Sequence, residues 1–257
     1  MMLKYAMYME DWFEAGGYFV GGSTNIVGAG AYGAKISELA GSGSWLATIV
    51  DGGGDNAEVI GIMNDERNGI LRTVPNNAAA DGINMQMQGE SITLRSGYTS
   101  AFNARWLITD TTNCQVRTGL HMTGTTAAIT TPGTDYIGFH CTNAIAYFQS
   151  AKNSTATNIT MGAIANADFH VGAFAIDGTD CKVMWDGVLV ATIPIASGVI
   201  PDDEALSPVM ANRALNTAQS YVKWDYIGTV QTRYLRPEFE NDEALSIWAA
   251  PLCIGER

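Results

Sequence analysis

The chain is expected to be all-β: an antiparallel two-sheet sandwich of jelly-roll type, with irregular extensions at its N- and C-terminal ends. Three observations predict it. Short alternating runs recur at a spacing of roughly ten residues, each bounded by Gly, Asn, Asp or Pro. No run of helical period is long enough to form an amphipathic helix. The 257 residues include 28 glycines and only 16% charged side chains, which suits strands joined by tight turns better than solvated helices.

The clearest element is Asp180–Thr192. Two alternating runs flank Asp186-Gly187, the strongest short hairpin signal a sequence carries. A two-residue turn there predicts Trp185 opposite Val188 and Val183 opposite Val190, all four on one face, in the middle of an antiparallel sheet.

The remaining elements are justified in order. Residues 1–40 are rich in Met, Tyr, Trp and Gly and predict an irregular arm, which packs on the body or on another subunit. Lys35–Leu39, Ser44–Val50, Val59–Met63 and Gly69–Val74 read as short strands, with turn clusters at Asp51–Asp55 and Asn64–Gly69. Ile83–Gln88 alternates, and Gly89-Glu90 turns it into Ser91–Arg95. Phe102–Ile108 and Cys114–Leu120 follow, joined by a turn over Asp110–Asn113, and a Thr- and Gly-rich loop covers 121–133.

Asp135–Cys141 and Ala144–Ser150 form a hairpin-like pair, and Ile159–Ile164 is weakly patterned. Phe169–Ile176 leads into the opening hairpin, a Pro- and acid-containing loop spans Gly198–Ala205, and Leu206–Arg213 is a further strand. The closing strand places Val222, Trp224, Tyr226 and Val230 on one face and Lys223, Asp225 and Thr229 on the other. The expected organisation is an arm over 1–40, one sandwich over 41–236 and an acidic tail over 237–257.

The net charge of −12 argues against nucleic acid or an anionic membrane as partner. No apolar run is long enough to span a bilayer. Glu10 and Asp11 close the only candidate leader, so export by the general route is not expected. None of Cys114, Cys141, Cys181 and Cys253 sits in a C-x-x-C pair, and the first three read as small buried apolar residues.

Chemistry is sparsely signalled. Glu238–Glu243 is the nearest approach to a paired-carboxylate strand, yet its spacing does not fit a glycosidase pair, and it reads as solvated tail. Asp51, Asp55, Asp65 and Glu66, or Asp202, Asp203 and Glu204, are the groups with calcium-ligand chemistry, though none follows a calcium-loop spacing. Trp45, Trp106, Trp185 and Trp224 alternate with polar residues and are expected in the core, whereas Trp12 and Trp248 suit intersubunit anchors.

His121, His140 and His170 cannot be placed beside a nucleophile. Gly28–Gly33 matches G-x-G-x-x-G without a strand-to-helix context, and the sequons at Asn153 and Asn158 carry little weight. No catalytic residue, cofactor or metal is expected.

Residues 45–233 resemble the concanavalin A-like (laminin G-like) jelly roll in the version found in tailed-phage virion proteins. The likeness runs through Asn68–Leu71, Phe102–Asp110, Val116–Leu120, Asp135–Phe139, the Trp185-Asp186-Gly187 hairpin and Trp224–Ile227, with Arg233 at the end of the closing strand. It implies a non-enzymatic virion component, a capsid decoration (cement) protein or appendage assembled in the host cytoplasm, and the arm over 1–40, the tail over 237–257, or both, are expected to dock on the shell and stabilise it. Its partners would be the major capsid protein or sister subunits in a homo-oligomer. The alternative implied by the same resemblance is a lectin-like module that attaches to a host glycan; a glycoside hydrolase ranks behind both.

Overall fold

The computed structural model describes residues 6–12, 25–27, 30–32, 45–50, 58–63, 70–75, 78–79, 81–87, 89–90, 92–95, 98–124, 133–218 and 220–232. Within them the chain runs as β1 (Ala6–Trp12), β2 (Asn25–Val27), β3 (Gly30–Tyr32), β4 (Trp45–Val50), β5 (Val59–Met63), β6 (Ile70–Val74), β7 (Gly82–Met87), β8 (Ile92–Thr93) and β9 (Thr99–Ile108). It continues as β10 (Cys114–His121), β11 (Tyr136–Thr142), β12 (Ile145–Lys152), β13 (Thr155–Ala163), β14 (Phe169–Ile176), β15 (Asp180–Trp185), β16 (Val188–Pro194), β17 (Ala205–Ala214) and β18 (Val222–Thr232). A single 3₁₀ turn over Ile195–Ser197 interrupts the strands.

The strands form two antiparallel sheets, as expected for the sandwich. The first has the order β16-β15-β14-β9-β18-β6-β5-β2, with β1 also on β18; the second has the order β13-β12-β11-β10-β17-β7-β4-β3, with β8 also on β17. The two last strands are thus interior ones. β18 lies between β9 on one side and β6 with β1 on the other. β17 lies between β10 and β7 in the same way.

Three two-residue turns make the hairpins tight. Asn143-Ala144, Asn153-Ser154 and Asp186-Gly187 all have positive φ at both positions, the type I′ geometry whose twist matches that of the strands it joins.

Between the sheets lies one aromatic core. Trp106 sits 5.6 Å from Trp185, 6.0 Å from Phe139 and 6.4 Å from Trp224, ring centre to ring centre. Phe102 stacks on Phe174 at 5.3 Å. Trp45, Trp106, Trp185 and Trp224 are all buried, as are Cys114, Cys141 and Cys181, which are free thiols. Burial pushes the Cys114 and Cys141 thiols up to about 12, so both stay protonated at neutral pH. Trp224 satisfies its indole N–H on Thr73 Oγ1 at 2.9 Å, and Asn212 Nδ2 donates across the sandwich to the Thr73 carbonyl at 3.2 Å.

The structure corrects several expectations. The 180–192 hairpin lies at the edge of its sheet rather than in the middle, because among the described residues no strand pairs with the far side of β16. Trp185 does face Val188, but the register slips between Val183 and Met184, so Val183 meets Ala191 and Val190 becomes the extra residue of a bulge. Val188 and Val190 are accordingly not core residues. A second bulge at Asp225, held by the Arg105–Asp225 ion pair, reverses the phase of the closing strand. Beyond it Ile227, Thr229 and Gln231 turn inward, and Tyr226 pairs with Arg105 on the outer face.

The arm over 1–40 is not wholly irregular either: β1, β2 and β3 join the two sheets through backbone pairing. The strand expected over Lys35–Leu39 and the tail over 237–257 lie outside the described residues.

Candidate functional site

Two regions of the surface carry chemistry that packing alone does not explain. The first is the outer face of the second sheet. Pairing register fixes what shares it: Arg117 lies opposite His140, and His140 opposite Tyr147. The next row holds Val209, Gly119, Gly138 and Gln149. The row after that holds Ser207, His121, Tyr136 and Ala151.

The middle row has no side chain at its centre. A Cβ on Gly138 would stand 2.2 Å from the Thr118 carbonyl oxygen, and one on Gly119 would stand 2.2 Å from that of Ile137. Only glycine lets β10 and β11 approach so closely, and the result is a notch floored by backbone. It forms a cavity of about 20 Å³ walled by Arg117, His121, Tyr136, Gln149 and Val209.

The electrostatics of this face follow from burial. Desolvation, with the charge of Arg117 beside it, brings His140 down to about 3. Desolvation brings His121 down to about 4 against a backbone hydrogen bond to Met122 that works the other way. Both rings are therefore neutral at pH 7. His121 stacks on Tyr136 at 5.5 Å, donates from Nδ1 to the Met122 carbonyl at 3.3 Å and accepts at Nε2 from Gly133 N–H at 3.4 Å.

Arg117 comes down to about 10, mainly because it is desolvated and partly because Arg213 lies on the same face. It stays charged at neutral pH. Farther along, the polar face of β7 is not solvated as its alternation suggested. Asn84 and Gln86 are buried under residues 122–124, with Gln86 Nε2 donating to the carbonyls of His121 and Met122 and accepting at Oε1 from Gly124 N–H.

The depressed value of His121 gives a signed prediction. Unfolded chain takes up a proton at this ring near pH 6.5, while the folded state resists until about pH 4. The stability it supports is complete at neutral pH and drains as the pH falls through that window, on the order of 3 kcal/mol. Chemical unfolding at steps between pH 7 and pH 4 is expected to show the decline, to which the still lower His140 adds its own share, and His121→Gln is expected to make it shallower by about 3 kcal/mol without abolishing it.

The second region is the β16 edge. Val188, Leu189 and Val190 are 62%, 57% and 38% exposed, the large exposed apolar side chains of the described residues. They sit on an edge strand whose outer backbone groups have no strand partner among the described residues.

The other candidates resolve into structural roles. His170 Nδ1 lies 2.9 Å from Asp186 Oδ2 and its ring stacks on Trp185 at 5.2 Å, an acid–imidazole pair of catalytic type. Yet Asp186 also accepts from Val171 N–H at 2.7 Å, and its own N–H donates to the Val171 carbonyl at 2.8 Å. The pair clasps the hairpin turn to β14, and His170 Nε2 meets no hydroxyl or thiol within hydrogen-bonding range among the described residues.

Asp110 and Asp177 close turns by accepting from Thr112 and Asn113, and from Thr179 and Asp180; these bonds hold both carboxyls below the usual range, against desolvation, which is the largest influence on Asp177. Asp202 and Asp203 pair with Lys152, while Glu204 is exposed. Among the described residues no three His, Cys, Asp or Glu side chains come together as metal ligands. Asp51, Asp55, Asp65, Glu66, Cys253, Trp248 and Glu238–Glu243 lie outside the described residues. Gly30–Tyr32, within the G-x-G-x-x-G match, is a strand rather than a helix start.

Neither the Gly119–Gly138 notch nor the Arg117–His140–Tyr147 row was read from the sequence. Glycines paired across two strands are visible there only once the register is known.

No known protein family and no curated protein sequence matches the chain. Solved structures do. The laminarinase from Rhodothermus marinus superposes with a TM-score of 0.57 at 11% identity, over 91% of this chain and 100% of that one. A protein of unknown function from Shewanella oneidensis MR-1 gives 0.53 at 13% identity, over 90% and 89%. The binding domain of botulinum neurotoxin DC in complex with SialylT gives 0.51 at 7% identity, over 89% of this chain and 51% of that one. At such identities the likeness is one of fold, and it establishes this chain as a two-sheet antiparallel sandwich of the jelly-roll kind.

Proposed function

We propose that this chain is a non-enzymatic structural subunit of a tailed-phage virion, one that decorates the capsid and binds sister subunits or the major capsid protein. The observation that carries the assembly role is the β16 edge, where an apolar ribbon and a row of backbone groups with no strand partner among the described residues stand together at the rim of a sheet. Such an edge adds a strand from another chain at little entropic cost, since β16 is already fixed by β15. Repetition over a symmetric shell multiplies a weak single contact into firm attachment. The virion setting is supported by the resemblance of residues 45–233 described above. The non-enzymatic reading is supported by Asp110, Asp177 and Asp186, which hold turns, and by Asp202, Asp203 and Asp225, which form ion pairs.

Leu189→Glu places a charge at the centre of the edge without touching the core. It is expected to weaken capsid binding and self-association at least about tenfold while moving stability by no more than about 0.5 kcal/mol. Sedimentation of purified protein with preformed capsids reads the first, and chemical unfolding the second. A variant that still binds capsids like the parent, or a parent that binds neither capsids nor itself, would overturn the proposal.

A further inference from the structure

Residues 122–124 cross the outer face of the second sheet as a strap, and the polar side of β7 is their seat. Asn84 Nδ2 donates to the Gly124 carbonyl at 3.1 Å, Gln86 Oε1 accepts from Gly124 N–H at 3.0 Å, and Gln86 Nε2 donates to the Met122 carbonyl at 3.0 Å. Beyond β7, Glu90 Oε1 accepts from Thr123 N–H at 2.6 Å. On the other flank Met122 N–H donates to the Asp135 carbonyl at 3.2 Å, and Thr134 Oγ1 donates to Met122 Sδ at 3.2 Å. Asn84, Gln86 and Ser207 lie buried at this seat, with Gln86 Nε2 2.9 Å from Ser207 Oγ. The strap is thus fastened by polar bonds that water can replace. Each contributes little net stability, and a segment so held opens before the core does.

His121 stands at the root of the strap, and its two nitrogens serve in opposite senses. Nδ1 donates to the Met122 carbonyl, and Nε2 accepts from Gly133 N–H. Only a neutral ring can do both. A proton on Nε2 turns that acceptor into a donor aimed at another donor. Gly133 is seated so closely that a Cβ on it would stand 3.2 Å from His121 Cε1 and 3.1 Å from Met122 Cγ, which leaves little room for water to take the new N–H.

Nor do the groups around the ring welcome its charge. β10 brings Arg117, whose own charge opposes it. β11 brings the stacked phenol of Tyr136, β17 the hydroxyl of Ser207 and β7 the amide of Gln86. The Asp135 carboxylate accepts from Asn153 N–H, and that of Glu90 from Thr123 N–H.

We propose that residues 122–124 form an acid-released latch: a proton on His121 parts Gly133 from the ring, lifts the strap and bares Asn84, Gln86 and Ser207 while the two sheets stay paired. The ring protonates near pH 6.5 once it is exposed and only near pH 4 while the strap is closed, so acid favours the open state throughout that window.

The test is amide hydrogen exchange of the intact chain, read by NMR between pH 7 and pH 4 and divided by the free-peptide rate at each pH. Protection of Met122 and Gly124 is expected to lie at least about tenfold below that of the β9 and β14 amides. It is expected to fall about a hundredfold over the range. In His121→Gln, whose amide does not titrate, strap protection is expected to stay level, while the core amides still lose some through His140. Glu90→Gln is expected to keep the decline, which assigns it to the ring rather than to the carboxylate on Thr123, and it serves with the parent if His121→Gln does not fold. Strap amides that exchange only together with the core, strap protection that does not fall in acid, a decline kept in His121→Gln or a decline lost in Glu90→Gln would each overturn the proposal. Capsid binding does not enter this result, because the β16 edge belongs to the other sheet.

Discussion

Trp106→Ala is expected to lower the unfolding free energy by about 4 kcal/mol and the melting temperature by about 10 °C. Trp106 is fully buried at the point where β9 faces β11, and it touches Trp185, Trp224 and Phe139. Its removal takes away the transfer free energy of an indole and leaves a void that three rigid rings cannot fill. Gly172 adds a local constraint: a Cβ there would come within 2.8 Å of Phe139 and Trp106 ring atoms, so the glycine exists to seat these rings. Calorimetric unfolding checks the figure. A loss below about 1 kcal/mol would mean that the aromatic cluster is not the mechanical centre of the sandwich.

Gly138→Ala is expected to cost at least about 3 kcal/mol, although it adds a single methyl group. The atoms it would meet are the Thr118 carbonyl oxygen at 2.2 Å and the Gly119 Cα at 2.7 Å, both backbone. Side chains can rotate away from a clash; two hydrogen-bonded strands cannot. Gly119→Ala pushes the same two strands apart from the other side, so the double variant is expected to cost less than the sum of the two. Gly89→Ala is the contrast. Nothing lies within 4 Å of its Cβ, and only its φ of +92° opposes the change, which predicts about 1 kcal/mol. Chemical unfolding of the four variants tests the set, and similar losses at 89 and 138 would sink the close-approach account.

Much of the fold was legible because period-2 alternation and turn chemistry act locally. Asp186-Gly187 announced its hairpin, and Trp106, Trp185 and Trp224 fell where their alternation put them. What alternation cannot encode is a change of phase. The bulge at Asp225 depends on Arg105, 120 residues away in sequence, and it sends Thr229 inward and Tyr226 outward against the simple reading.

Nor can alternation tell a solvated face from a covered one. Asn84 and Gln86 look like surface residues until residues 122–124 are seen to lie over them. The candidate site was hidden for a similar reason. Among 28 glycines, nothing local distinguishes Gly119 and Gly138, whose meaning arises from facing each other. Val188 and Val190 read as part of a hairpin in the middle of a sheet because their composition suits an inner strand, and only the place of β16 at the rim makes them surface.

The interior position of the last two strands bears on how the molecule is made. Before residue 205 leaves the ribosome, no described strand joins β10 to β7, and until β18 emerges the same holds for β9 and β6. Each layer therefore waits as two unconnected halves during synthesis, to be stitched shut by residues 205–232. Nascent chains arrested before that segment should be cut readily by protease, and emergence of residues up to 232 should bring resistance in one step.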